Sequence, residues 1–182
     1  MATTTSRTAT EADLLNVPED GYTYELVDGE IRRMSPAGWN HGFVCLNLGS
    51  RLLAFVKAHN LGHVSGWDPG VRLPQGNLRA PDIGFVASGR FEDGKIPTGY
   101  TSVIPDLAVE VLSPEDRPRL VLDKIGEFLE AGVRLVWVID PDGRRATVYR
   151  SISDVRTLGA EDELDGEDIL PGFRCRLTDV LE

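Results

Sequence analysis

Residues 105–141 read PDLAVEVLSPEDRPRLVLDKIGEFLEAGVRLVWVIDP, two apolar runs enclosing a helical stretch. Asp106 to Leu112 is nearly continuous in apolar residues, the pattern of a strand covered on both faces. In Leu120 to Glu130, Val121, Ile125, Phe128 and Leu129 recur at helical spacing, and Ala131-Gly132 stops the helix. Val133 to Ile139 reads as a second buried strand, closed by Asp140-Pro141-Asp142-Gly143. This strand–helix–strand unit suits a mixed β-sheet with helices on its faces, an α/β (α+β) class.

On the N-terminal side, Ala80 to Ala87 and His63 to Leu73 read as strands, the latter interrupted at Asp68-Pro69-Gly70. Ser88 to Ser102 is a polar, Gly-rich loop. From His41 to about His59, Phe43, Val44, Leu46, Leu48, Leu52, Leu53, Phe55 and Val56 predict a helix, with Gly62 as its stop. TYELVDGEIRRM predicts an N-terminal β-hairpin turning at Asp28-Gly29. A short helix is expected from Thr10 to Leu15. On the C-terminal side, Arg145 to Arg150 pairs back as a hairpin, and LPGFRCRLTDVLE supplies a strand and a terminal helical turn. The acidic stretch Glu161 to Asp168 reads as an exposed loop. A single domain over residues 10–182 follows a disordered leader at 1–9.

The 182 residues suffice for one sizeable core. No apolar run approaches the ~18 residues needed to span a bilayer, and the N-terminus lacks the apolar core of a secretory signal, so a cytoplasmic protein is expected. Cys45 and Cys175 have no CxxC partner and read as core or near-core thiols. The net charge of −10 argues against a broad nucleic-acid-binding surface, although Arg32/Arg33, Arg117/Arg119, Arg144/Arg145 and Arg174/Arg176 are available to line a local groove. Walker, GxSxG and HExxH patterns are absent, so nothing supports nucleophilic serine or cysteine catalysis.

Three residues stand out chemically. Glu110 sits among apolar neighbours from Leu107 to Leu112, where a carboxylate must be protonated, paired or bound to a metal. An arginine salt bridge would satisfy it, and so would a hard divalent cation shared with a second carboxylate on an adjacent strand. Asp82, in RAPDIGFV, is that second carboxylate; the small Gly84 beside it leaves room for an ion or water, whereas a turn-capping role needs neither. Lys124 lies at the edge of its helix's buried stripe, with Asp123, Glu127 and Glu130 on the outer face. It either snorkels to water or stabilises charge in a site. Glu25 and His41 are softer candidates, for which a solvated strand face and a helix-turn cap are the plain alternatives.

The segments YELVDGEIRRMSP, RAPDIGFV, PDLAVEVLSPEDR and DKIGEFLEAGVRLVWVIDPDGRRATVYR resemble the Uma-two family of restriction endonucleases, within the PD-(D/E)XK nuclease superfamily, in order from about Thr10 to the C-terminus. The resemblance implies a restriction-endonuclease-like fold, a mixed central sheet flanked by helices. It implies Asp82 and Glu110 as ligands of Mg²⁺ (or Mn²⁺), with Lys124 standing in for the lysine the superfamily usually carries two positions after the acid. That position is Leu112 here. Glu25 and His41 fall where the family carries auxiliary site residues. The implied activity is metal-dependent hydrolysis of DNA phosphodiester bonds. Two other readings remain at this point. One is a non-catalytic nuclease-like domain that binds a partner or nucleic acid, and the other a metal-dependent phosphoesterase for small substrates. The long helix and the hairpins could also support a homodimer.

Overall fold

The computed structural model describes residues 8–182, so positions 1–7 of the expected leader lie outside the described residues. Ala9, by contrast, donates a hydrogen bond to the Gly29 carbonyl at 2.7 Å. In chain order the elements are α1 (Glu11–Leu14), β1 (Thr23–Val27), β2 (Glu30–Met34), α2 (Trp39–His59), β3 (Gly62–Gly66), β4 (Val71–Arg72), β5 (Leu78–Arg79), β6 (Ile83–Ala87), β7 (Leu107–Val111), α3 (Pro118–Ala131), β8 (Leu135–Asp140), β9 (Arg145–Tyr149), β10 (Val155–Gly159), β11 (Glu163–Asp165), β12 (Arg174–Arg176) and α4 (Thr178–Leu181).

Six strands form the main sheet in the order β10-β9-β8-β7-β6-β3. Only β7 and β8 run parallel, because α3 carries the chain back over the sheet between them. A smaller antiparallel sheet, β2-β1-β5-β4, holds the first hairpin, and β11 pairs with β12 as a ribbon.

Alternation along β7 explains how the layers assemble. Leu107, Val109 and Val111 join Leu135, Trp137 and Ile139 of β8 and pack against Val44, Leu48, Leu52 and Val56 of α2. Ala108, with Val136 and Val138, faces Ile125 and Phe128 of α3. Glu110 follows Ala108 on the α3 face.

The interruption in His63 to Leu73 separates β3, in the main sheet, from β4, in the small one. Several expectations need correcting. The strand expected from Ala80 starts only at Ile83, because Pro81 has no amide to donate to a ladder. The acidic stretch Glu161 to Asp168 is not simply an exposed loop: it contains β11, whose Leu164 is completely buried. The stop of α2 is Asn60, which adopts a left-handed φ of 54° and returns its amide to Lys57 and Val56, rather than Gly62.

Candidate active site

The β6–β7 register pairs Ile83 with Val109 and Gly84 with Ala108. One step further along the antiparallel pair, Asp82 stands across from Glu110. The position is fixed by a hydrogen bond from the Val111 amide to Asp82 Oδ2 at 2.6 Å. The other Asp82 oxygen lies 3.2 Å from His41 Nε2, in the first turn of α2. Asp82 therefore joins a helix on one side to the β7 strand on the other.

Lys124 reaches Glu110 from α3. Its amine donates to Glu110 Oε2 at 2.9 Å and to the Ala80 carbonyl at 2.8 Å, and it lies 3.3 Å from Glu25 Oε1. The snorkelling alternative is thus not realised: only 13% of the side chain is exposed and the amine points inward. Glu25 is 2% exposed on β1, so a solvated strand face does not describe it either. It accepts from the Ala80 amide and from Arg79, and Arg79 in turn grips Glu127. Glu127, expected on the outer face of α3, is covered because the small sheet folds back over that face and brings Arg79 and Asn77 to it.

The electrostatics follow from this packing. Burial pushes the Glu110 carboxyl up to about 8, opposed by the Lys124 ammonium and assisted by the Asp82 charge. Burial works against the Lys124 charge, but Glu110, Glu25 and Asp82 outweigh it and raise the amine above its ordinary value. For Glu25, burial opposes ionisation, while Lys124 and Arg79 prevail and hold the carboxyl below its usual range. The hydrogen bond with Asp82 raises the His41 imidazole against its own burial.

One atom in this cluster has no protein partner. Glu110 Oε1 is buried without a hydrogen bond, the only carboxylate oxygen so placed among the described residues. A native fold seldom leaves such an atom bare, and a hard cation shared with Asp82 would satisfy it. The donor set thus fits a divalent metal of the Mg²⁺ or Mn²⁺ type. Gly84 does not provide the space: a Cβ there would meet Pro69 and Pro81 at ordinary contact distance, 3.8 Å.

The family model for Uma2, described as "Putative restriction endonuclease", matches residues 11–178. The chain belongs to the Uma2 family. Its fold is shared with a solved structure, that of a "putative nuclease belonging to DUF820" from Anabaena variabilis. The two superpose with a TM-score of 0.81 at 22% identity, over 94% of this chain and 97% of that one. No curated protein matches the sequence. In this Uma2 member the five residues singled out from sequence fall into one neighbourhood, Glu25, Glu110 and Lys124 as one knot and Asp82 with His41 as its flank. Sequence reasoning missed Arg79, Glu127 and Cys45. Cys45 sits one helical turn after His41, its sulfur 3.6 Å from His41 Nδ1, and that i, i+4 spacing was the available signal.

Proposed function

We propose that this protein is a metal-dependent endonuclease that hydrolyses phosphodiester bonds in DNA. The observation that carries the reading is the buried, unpartnered Glu110 Oε1, across the strand pair from Asp82 and beside the Lys124 amine. Asp82 and Glu110 would hold Mg²⁺ or Mn²⁺. When bound, such an ion polarises the scissile phosphate and lowers the pKa of a coordinated water. The remaining work falls to the chain. Val111 and His41 fix the orientation of Asp82, and Glu25 and the Ala80 carbonyl hold the Lys124 amine at the edge of the site. From there its positive charge can offset the negative charge that accumulates at phosphorus. The family description, "Putative restriction endonuclease", supports DNA as the substrate of this reading.

Nicking of supercoiled plasmid with Mg²⁺ or Mn²⁺ tests the reading. Cleavage is expected to stop with EDTA and to fall at least ~100-fold in Glu110→Gln, a loss on the scale of removing one group that stabilises transition-state charge. Undiminished cleavage by Glu110→Gln would sink it. A second reading has one observation behind it: all three acceptors around the Lys124 amine belong to the protein, as in a purely structural ion network. A non-catalytic nuclease-like domain of that kind predicts no cleavage at all, and no Mn²⁺ heat in calorimetry that disappears on Asp82→Asn.

A further inference from the structure

We propose that His41, Cys45 and Asp82 form a second cation site, suited to a zinc-class divalent ion rather than to Mg²⁺. It lies on the α2 side of Asp82 and shares that carboxylate with the Mg²⁺ or Mn²⁺ site proposed above, but it is read from its own ligand atoms.

Each of the three residues offers a ligand atom, and these atoms all lie within 4.8 Å of one another. The Cys45 sulfur is 3.6 Å from His41 Nδ1 and 4.0 Å from Nε2, and Nε2 is 3.2 Å from Asp82 Oδ1. Donor atoms on a tetrahedral zinc stand ~3.3–3.6 Å apart, given bond lengths of ~2.3 Å to sulfur and ~2.0 Å to nitrogen or oxygen. A small tilt of the imidazole would therefore place Nε2, the sulfur and the carboxylate oxygen around one ion. The two helical ligands are one turn apart on one face of α2, and the third comes from a distant part of the chain.

Two further features favour an ion at this place. All three residues line one cavity of about 300 Å³, which Asp68, Ser65 and Trp67 also border. That opening supplies the entry path and the free coordination position typical of three-ligand zinc sites. The carboxylates of Asp82 and Asp68 set a negative field at the Cys45 sulfur. The same negative field attracts a cation, and a soft or borderline ion that binds sulfur displaces the thiol proton. An all-oxygen cation such as Mg²⁺ gains nothing from the sulfur, so the ligand set itself selects the class of ion.

Cobalt titration of the full-length protein tests this. One equivalent of Co²⁺ should produce visible tetrahedral bands and a near-ultraviolet thiolate-to-cobalt band, bleached by Zn²⁺. Cys45→Ser should lose the near-ultraviolet band, whereas Glu110→Gln should keep it. In parallel, Zn²⁺ should slow alkylation of Cys45 in the wild-type protein at least ~10-fold, as read by mass spectrometry, because a coordinated thiolate is masked. A wild-type spectrum without the thiolate band, the same band in Cys45→Ser, or alkylation indifferent to Zn²⁺ would each overturn the proposal. The nuclease reading stands or falls separately, on plasmid cleavage by Glu110→Gln.

Discussion

Lys124 is held as a charged group inside the protein, and removing it separates catalysis from stability. Breaking a buried pair by deleting one partner ordinarily costs ~3–5 kcal/mol, because the other charge is left uncompensated. Glu110 has an escape: with its carboxyl already pushed up to about 8, it can take a proton instead. Lys124→Met is therefore expected to lose only ~1–3 kcal/mol in urea denaturation at neutral pH, the range for an unsatisfied buried group. Its plasmid cleavage should fall at least ~100-fold. A full-size stability loss with cleavage intact would show the lysine to be structural only. Glu110 was legible because a carboxylate inside an apolar strand has few ways to be satisfied, and Lys124 because it borders a helical stripe. Arg79 and Glu127 were not. Their contacts span 54 positions to Glu25 and 48 between the two residues, and helical periodicity cannot report a sheet that returns over the outer face.

The long elements were legible from their apolar periodicity and the first hairpin and α1 from their turn and cap residues, but β10 and β11 were not. β10 buries only Leu158 and β11 only Leu164, too little for a pattern to emerge from charged surroundings. Gly62 illustrates how an element boundary can be right for the wrong reason. It reads as the stop of α2, yet its place in β3 is set by close approach to β6. A Cβ there would lie 2.1 Å from the Val86 carbonyl oxygen, and φ is 149°. Gly132, which does end α3, has φ 105° and open space around it. Ala at Gly132 is therefore expected to cost ~1 kcal/mol, the conformational penalty alone. Ala at Gly62 must also push two backbones apart and should cost at least ~3 kcal/mol, as other overpacked sites do. Paired thermal melts check this; equal losses would mean that β3 yields freely.

At the scale of the whole molecule, the small sheet is tied to the rest by charge as well as by Val71 and Leu73, which pack into the core beneath α3. Glu25 on β1 and Arg79 on β5 are 2% and 4% exposed, and Arg79 bonds to Glu127 on α3 at 2.5 and 2.9 Å. Lys124, on the same helix, continues the chain of contacts to Glu110 in the main sheet. Burial opposes the charge on both glutamates, but their basic partners prevail, and both carboxyls are held below the ordinary 4.5. A carboxyl depressed in the folded state stabilises the fold fully above its unfolded value, and that contribution is lost as pH falls through the folded value. The contribution of Glu25 and Glu127 should hence hold down to about pH 4.5 and decline below it, with the small sheet releasing first. Hydrogen exchange at about pH 3.5 should show β1 and β2 losing protection while β7 and β8 keep theirs, as expected for a separately opening unit. Glu127→Gln removes one of the two titrating carboxyls, so it should be less stable than wild type at neutral pH and show a shallower acid decline. Parallel acid limbs for the two proteins, or simultaneous opening of both sheets, would mean that the apolar packing of Val71 and Leu73 against the core beneath α3 holds the small sheet in place instead.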